Sequence, residues 1–380
     1  MAASYSYFPE DIIIEILLRL PVKSLLRFRS VSKQWFSLTT NPKFITTHLH
    51  HSTENPSLLI ARRECVDFIF KTHISLLPNG STRLHGVHVP NMFGSPFNFV
   101  GSDGGLICIQ LTPLIYFNYV LWNPATRQFR HIPKSPTYFT HKTCLAFDAF
   151  GYSSETNDYK LLLIWYYQEE GVYQAEVFSR RTGSWKVIDK PVPYGFHSDD
   201  PPLSLKGEIY WHAGRYVSGN LMEIIVGFNL VTEDFRKIDL PSLEFRSTCY
   251  TVTEYKGSLA LLIFPRNMSL RNYGFELWVI SEEGGGGGGN RESWNKVFTL
   301  KEPFLGISRR PEWVFRGSIL LFTSIFEAQD GFYLLDPTNP SLQASKFVPM
   351  SRPTNTKYGF GEFCYNVESL ASVYGENESD

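Results

Sequence analysis

One phrase recurs about every fifty residues along this chain, and it limits the fold more than any other feature. The phrase is an apolar strand, a turn, an aromatic, a basic residue and an apolar pair. It reads VLWNPATRQFRHIP at 120–133, EVFSRRTGSWKVID at 176–189 and VGFNLVTEDFRKIDLP at 226–241. ELWVISEEGGGGGGNRESWNKVFTL at 276–300 has a longer turn, FYLLDPTNPSLQASKFV at 332–348 is a degraded fifth copy, and DFIFKTHISLL at 67–77 is a candidate sixth. The marker aromatics Trp122, Phe178, Phe228, Trp278 and Tyr333 are spaced by 56, 50, 50 and 55 residues. Each phrase reads as a β-hairpin, and other strand runs, such as KLLLIWYY (160–167) and SLALLIF (258–264), lie between the copies. A period near fifty holding three or four strands is the pattern of propeller blades. Residues 55–370 have room for about six kelch-like blades. A pair of β-sandwiches is the alternative, because the copies are unequal. On the propeller reading, the aromatics pack blade against blade.

Glycine divides the chain. All 28 glycines lie at or after Gly80. Since glycine punctuates turns, the two regions differ in structural class. Residues 8–50 read as helices. Pro9, Glu10 and Asp11 open the first, and Pro21 stops it. Val22 to Arg29 makes a second. Ser32 is the N-cap of a third, through Trp35 to Leu38, and Asn41-Pro42 opens a fourth, Lys43 to Leu49. The first helix carries Ile12, Ile13, Ile14, Ile16, Leu17, Leu18 and Leu20 and is apolar nearly all round, so it must be covered on most faces. A unit of about 40 residues cannot bury that surface by itself. Either the β domain covers it or another protein does. The resulting division is α plus all-β: helices over 1–54, a large β domain over 55–370, and a disordered acidic tail over 371–380.

Composition excludes more than it selects. Aromatics reach 15% and charged residues only 19%, which suits an aromatic-rich β protein and not a disordered chain or coiled coil. The net charge of −1 gives no electrostatic draw toward nucleic acid or anionic membrane. Cysteines at 65, 108, 144, 249 and 364 form no CxxC pair, so neither a disulfide framework nor a structural zinc site is expected, and a reducing compartment is. The N-terminal residues meet acids at once, and the apolar run is broken by Glu15 and Arg19. No secretory signal or transmembrane span is expected. No catalytic or nucleotide-binding motif of the common types is present. His48, His50 and His51 cluster without acidic or cysteine partners, and His85 and His88 lack a third ligand, so no metal or cofactor is expected. The glycine run 284–289 has no Walker A lysine and reads as a loop tip. Lys23 and Arg27, joined by Arg19, Arg29 and Lys33, form a small basic face that reads as solvated or partner-facing.

The segment FPEDIIIEILLRLPVKSLLRFRSVSKQWFSL (8–38) resembles an F-box of the plant type. The match runs through Pro9-Glu10-Asp11, Glu15-Ile16-Leu17, Arg19 to Leu25, Arg27-Phe28-Arg29, Val31, Lys33 and Trp35. Phe8 replaces the usual leucine and Ser32 a common cysteine. The rest is similar to the plant F-box-associated region of type 1. The matching phrases are GSDGGLICI (101–109), LWNPATRQ (121–128), AFGYSSETNDYKLLLI (149–164), LKGEIYW (205–211), GFNLVTEDFRKIDLP (227–241) and ESWNKVF (292–298). S-locus F-box proteins and related plant F-box proteins share these features.

The resemblance implies a non-catalytic substrate receptor of an SCF ubiquitin ligase. Its F-box docks on a Skp-type adaptor, and through it on a cullin and a RING subunit. The β domain holds a protein target, which in the S-locus subgroup is a pistil ribonuclease. Carried over by position, the adaptor-facing set is Pro9, Ile12, Ile16, Leu20, Pro21, Val22, Leu25, Val31 and Trp35. Ile16, Leu25 and Trp35 could equally hold the helices together. Target contacts are expected in loops 168–172, 194–202, 213–220, 265–274 and 282–292, with Tyr194, Phe196, Arg215, Tyr216, Arg266 and Arg271 as candidates. Such a protein would work in the cytoplasm, the nucleus or both. Two rivals are a propeller hydrolase or lectin, which needs a convergent polar pocket, and an F-box scaffold with no role in degradation.

Overall fold

A computed structural model describes residues 9–54, 56–66, 69–78, 81, 83–90, 97–111, 118–139, 143–193, 201–217, 220–242, 248–265, 275–282, 292–300, 313–315, 319–324, 331–335, 346–349 and 361–375. Four helices come first: α1 (Glu10–Leu18), α2 (Val22–Phe28), α3 (Lys33–Thr40) and α4 (Pro42–Ser52). Their boundaries follow from local chemistry. Pro9 and Pro21 sit at the N-caps of α1 and α2 in extended conformations. Ser32 Oγ accepts from the Trp35 amide at 3.1 Å, and Asn41 Oδ1 accepts from the Lys43 amide at 2.8 Å with Pro42 at the first helical position. α1 ends at Leu18, before Pro21, because a residue preceding proline is pushed out of the helical region. α4 runs past Leu49 to Ser52.

The strands of the β-propeller follow. Among the described residues they form six four-stranded antiparallel sheets. Five are built from continuous chain. The second sheet is β4 (Phe97–Asp103), β5 (Leu106–Leu111), β6 (Asn118–Trp122) and β7 (Phe129–His131). The third is β8 (Thr143–Ser153), β9 (Asp158–Tyr167), β10 (Val172–Ser179) and β11 (Ser184–Ile188). The fourth is β12 (Leu203–Leu205), β13 (Glu208–Val217), β14 (Asn220–Asn229) and β15 (Phe235–Asp239). The fifth is β16 (Thr248–Tyr255), β17 (Ser258–Pro265), β18 (Phe275–Glu282) and β19 (Glu292–Leu300). The sixth is β20 (Trp313–Phe315), β21 (Ile319–Ser324), β22 (Gly331–Leu335) and β23 (Lys346–Pro349). The first sheet joins both chain ends: β24 (Gly361–Asn366) pairs antiparallel with β1 (Ser57–Val66), followed by β2 (Ile69–Leu77) and β3 (His85–Gly86).

The fifty-residue phrase is the hairpin of the third and fourth strands of each sheet. Its marker aromatics all lie on third strands, and Trp122, Phe178 and Phe228 face Phe129, Trp185 and Phe235 across the ladder. The Phe178–Trp185 and Phe228–Phe235 ring centroids are 5.5 and 4.9 Å apart. The core lies between sheets, and strand alternation sorts it. On β9, Leu161, Leu163 and Trp165 pack toward the second sheet, while Leu162 and Ile164 pack toward the fourth. The glycine run 284–289 lies outside the described residues.

Two carboxylates are built into this core. Asp148 Oδ2 accepts from Tyr119 Oη at 2.8 Å and Gln110 Nε2 at 3.0 Å, bridging the second and third sheets. Burial pushes its carboxyl from 3.8 up to about 6, partly offset by the Tyr119 hydrogen bond. Glu176 is fully buried and accepts from the Ser135 and Thr137 hydroxyls and from Trp165 Nε1.

Candidate functional site

The helical domain leaves apolar side chains uncovered. Eight large apolar side chains are exposed among the described residues, and four of them belong to the helical domain: Ile12 and Ile16 on α1, Phe36 on α3 and Val31 in the turn between α2 and α3. Ile12 and Ile16 are one turn apart on α1, at 45% and 53% exposed. Val31 is 66% and Phe36 53% exposed. Phe36 was not in the expected set. Its neighbour Trp35 turns inward, half-buried, with its ring edge-on to Phe28 at 5.0 Å, and one residue further round the helix Phe36 points out.

The structure divides the other expected residues. Pro9 and Pro21 are exposed at helix starts, and Leu20 is half-buried. Val22 and Leu25 are 0% exposed. They pack with Leu17, Leu18, Phe44 and Leu370, so in this chain their surfaces are already covered. His48 belongs to the same core. Its Nε2 lies 2.9 Å from the Leu20 carbonyl and ties α4 to the turn between α1 and α2. Among the described residues no group of three His, Cys, Asp or Glu side chains could hold a metal ion.

The helices stand on one end of the propeller. A cleft of about 650 Å³ separates α4, through Thr46, Leu49 and His50, from the turns at Asp103–Gly105, Lys206 and Lys256–Gly257. These turns join first strands to second strands. Strands alternate in direction, so the ends that flank the second-to-third connections lie at the opposite end, where the short 3-10 helix Pro136–Phe139 joins β7 to β8. Four expected target loops, 168–172, 194–202, 213–220 and 265–274, are flanked by strand ends there. The fifth, 282–292, is flanked by ends on the helix side. Tyr194, Phe196, Arg266 and Arg271 lie outside the described residues, and for Arg215 and Tyr216 only the backbone of β13 is described. At that end, Tyr166 and Tyr173 pack at 4.9 Å beside exposed Glu169, Glu170 and Val172.

The described chain continues past the boundary expected at residue 370. After β24 the chain remains packed to Gly375, with Ala371 and Val373 buried between the second and third sheets. The acidic composition of the last residues concealed the apolar alternation of Leu370, Ala371 and Val373 just before them.

Comparison with known proteins agrees with this architecture. Residues 92–319 match the family described as F-box associated beta propeller domain, and residues 6–47 match the F-box domain. An F-box/kelch-repeat protein of Arabidopsis thaliana is 31% identical over 311 residues, covering 77% of this chain and 71% of the relative. F-box protein DOR of the same plant is 28% identical over 353 residues, covering 89% and 84%. F-box protein CPR1, also from that plant, is 26% identical over 333 residues, covering 78% and 73%. Among solved structures the chain is similar to TolB from Acinetobacter baumannii at 11% identity and a TM-score of 0.49, covering 82% of this chain and 66% of that one.

Proposed function

Because the chain belongs to the F-box proteins that carry an F-box-associated β-propeller domain, we propose that it is the substrate-recognition subunit of an SCF-type ubiquitin ligase. The observation that carries the reading is the placement of its two surfaces. Uncovered apolar side chains of the F-box segment sit at one end of a β-propeller, and the strand ends that flank most of the expected target loops lie at the other. The first surface meets a Skp-type adaptor, which brings the cullin and the RING subunit. The second end holds the target protein. The six sheets are its blades, in a ring that β24 closes by pairing with β1.

In this reading the chain performs no bond chemistry. It raises the effective concentration of a target lysine near the ubiquitin-charged enzyme, and the rate gain comes from proximity and orientation. In this reading the chain works in a reducing compartment, the cytoplasm or the nucleus. An S-locus role would follow if the captured target were a pistil ribonuclease. The test is co-purification of the tagged full chain from plant cells under proteasome block. The reading expects the Skp-type adaptor and a cullin in the eluate, and a target that accumulates only under the block. Absence of the adaptor refutes the receptor reading. An adaptor with no stabilised target favours a scaffold.

A further inference from the structure

The segment after β24 touches both halves of the molecule. On the helix side, Glu368 Oε2 accepts the Val22 amide at 3.0 Å, at the start of α2, where no other side chain caps the helix. Leu370, 3% exposed, inserts among Leu17, Leu18, Val22, Leu25 and Phe44. On the ring side, Asn123 Nδ2 donates to the carbonyls of Ser369 at 2.9 Å and Ala371 at 2.8 Å. Arg180 Nη1 donates to the carbonyls of Ser372 at 3.1 Å and Tyr374 at 2.7 Å. Asn123 and Arg180 come from the third-to-fourth-strand turns of two successive sheets.

The repeat itself shows what is special here. Asn123 and Asn229 occupy the same place in their hairpins. Each side-chain oxygen accepts two amides of its own turn, from Ala125 and Thr126 in one case and from Val231 and Thr232 in the other. The amide nitrogens then diverge. Asn229 Nδ2 stays within its sheet, at 3.3 Å from Glu208 Oε1, whereas Asn123 Nδ2 leaves its sheet for the C-terminal segment. At the matching place in the third sheet, Ser179 Oγ accepts the Thr182 amide, and the next residue, Arg180, reaches the same segment. Blade-turn chemistry has been redirected in two adjacent sheets to grip one stretch of backbone.

We propose that residues 366–375 form a positioning strap that fixes the orientation of the F-box helices on the propeller, with Asn123, Arg180 and Glu368 as its positioning residues. The proposal rests on the receptor reading, in which the distance from adaptor to target decides ubiquitin transfer. The same segment closes the ring through β24, so ring closure and F-box placement are coupled. A chain whose last strand detaches loses its fixed F-box as well.

The test is the spread of distances between spin labels carried by non-natural amino acids at Ser37 on α3 and Val187 on β11, both exposed positions, in the full chain. Wild type should give one narrow distribution. A ring-side double variant, Asn123→Asp with Arg180→Leu, keeps the turn acceptor but removes the strap donors. A helix-side double variant, Glu368→Ala with Leu370→Ala, leaves the ring contacts intact. Each should at least double the width while adaptor affinity stays within about threefold of wild type. A folded double variant whose distribution matches wild type overturns the strap. Hydrogen exchange on wild type needs no variant: the Val22 amide should be protected, and its exchange at the rate of a frayed helix end overturns the proposal too. Failure of the unlabelled wild type to bind adaptor would sink the receptor reading while leaving the distance result to stand.

Discussion

Replacing Gly105 by alanine should loosen the junction of F-box and ring, and a second glycine provides the control. Gly105 follows Gly104 in the turn from β4 to β5, at φ +81°. An alanine Cβ there would lie 2.1 Å from Ser369 Cβ and 2.9 Å from the Val367 carbonyl oxygen. Gly257, in the equivalent turn from β16 to β17, has φ +76° and nothing within 4 Å of a Cβ. Both substitutions impose a left-handed backbone on alanine, costing roughly 1–2 kcal/mol. Gly105→Ala alone also forces the strap outward, an overpacking cost of about 1–3 kcal/mol. Its total is therefore about 2–5 kcal/mol, against roughly 1–2 for Gly257→Ala. Urea unfolding followed by tryptophan fluorescence reads both from midpoint and slope. Gly105→Ala should shift the midpoint further, and should speed exchange of the Val22 amide, since Ser369 and Glu368 move together. Equal shifts for the two variants, within about 0.5 kcal/mol, would refute the claim that the strap presses on this turn.

Other perturbations separate core from surface and test the buried acid. Leu25→Ala should cost about 2–5 kcal/mol of stability, because Leu25 is fully enclosed, whereas Ile16→Ala should change stability by less than about 0.5 kcal/mol; thermal unfolding of both distinguishes them. Asp148 carries a carboxyl raised from 3.8 to about 6 by burial, so the folded chain holds this proton more tightly than the unfolded chain does. Its contribution is most favourable below about pH 4, declines as pH rises to about 6, and is level above that, a loss of about 2–3 kcal/mol in all. Asp148→Asn has no such slope and keeps an acceptor for Tyr119 and Gln110. Its stability relative to wild type, from urea unfolding, should rise between pH 4.5 and pH 7, and a difference independent of pH would contradict the assignment.

Much of this architecture was legible because local chemistry and global fold agree. The caps Ser32 and Asn41-Pro42 each act where their residue types place them. The hairpin phrase reads clearly because its turn is made by its own side chains: the Asn in Trp122-Asn123 and Phe228-Asn229 builds an Asx turn that needs no distant partner. What could not be read depends on tertiary partners. Across two short apolar helices, no periodicity tells Val22 and Leu25, which pack with Leu370 from the far end of the chain, from Ile12 and Ile16, which stay exposed among the described residues. Phe36 is not among the positions carried over from the F-box resemblance; its exposure follows from the roughly 100° between consecutive helical residues, with Trp35 turned inward. The strap was hidden for the same reason. Its hydrogen bonds are made by backbone carbonyls to Asn123 and Arg180, about 190 to 250 positions away, and backbone groups carry no sequence signal.

Titration calorimetry of the purified full chain with a Skp-type adaptor tests the central claim most directly. Wild type should bind. Ile16→Asp with Val31→Asp, which charges two exposed apolar positions, should weaken binding at least 100-fold, about 3 kcal/mol, with unfolding unchanged. No binding by wild type, or equal binding by the charged variant, would contradict the account.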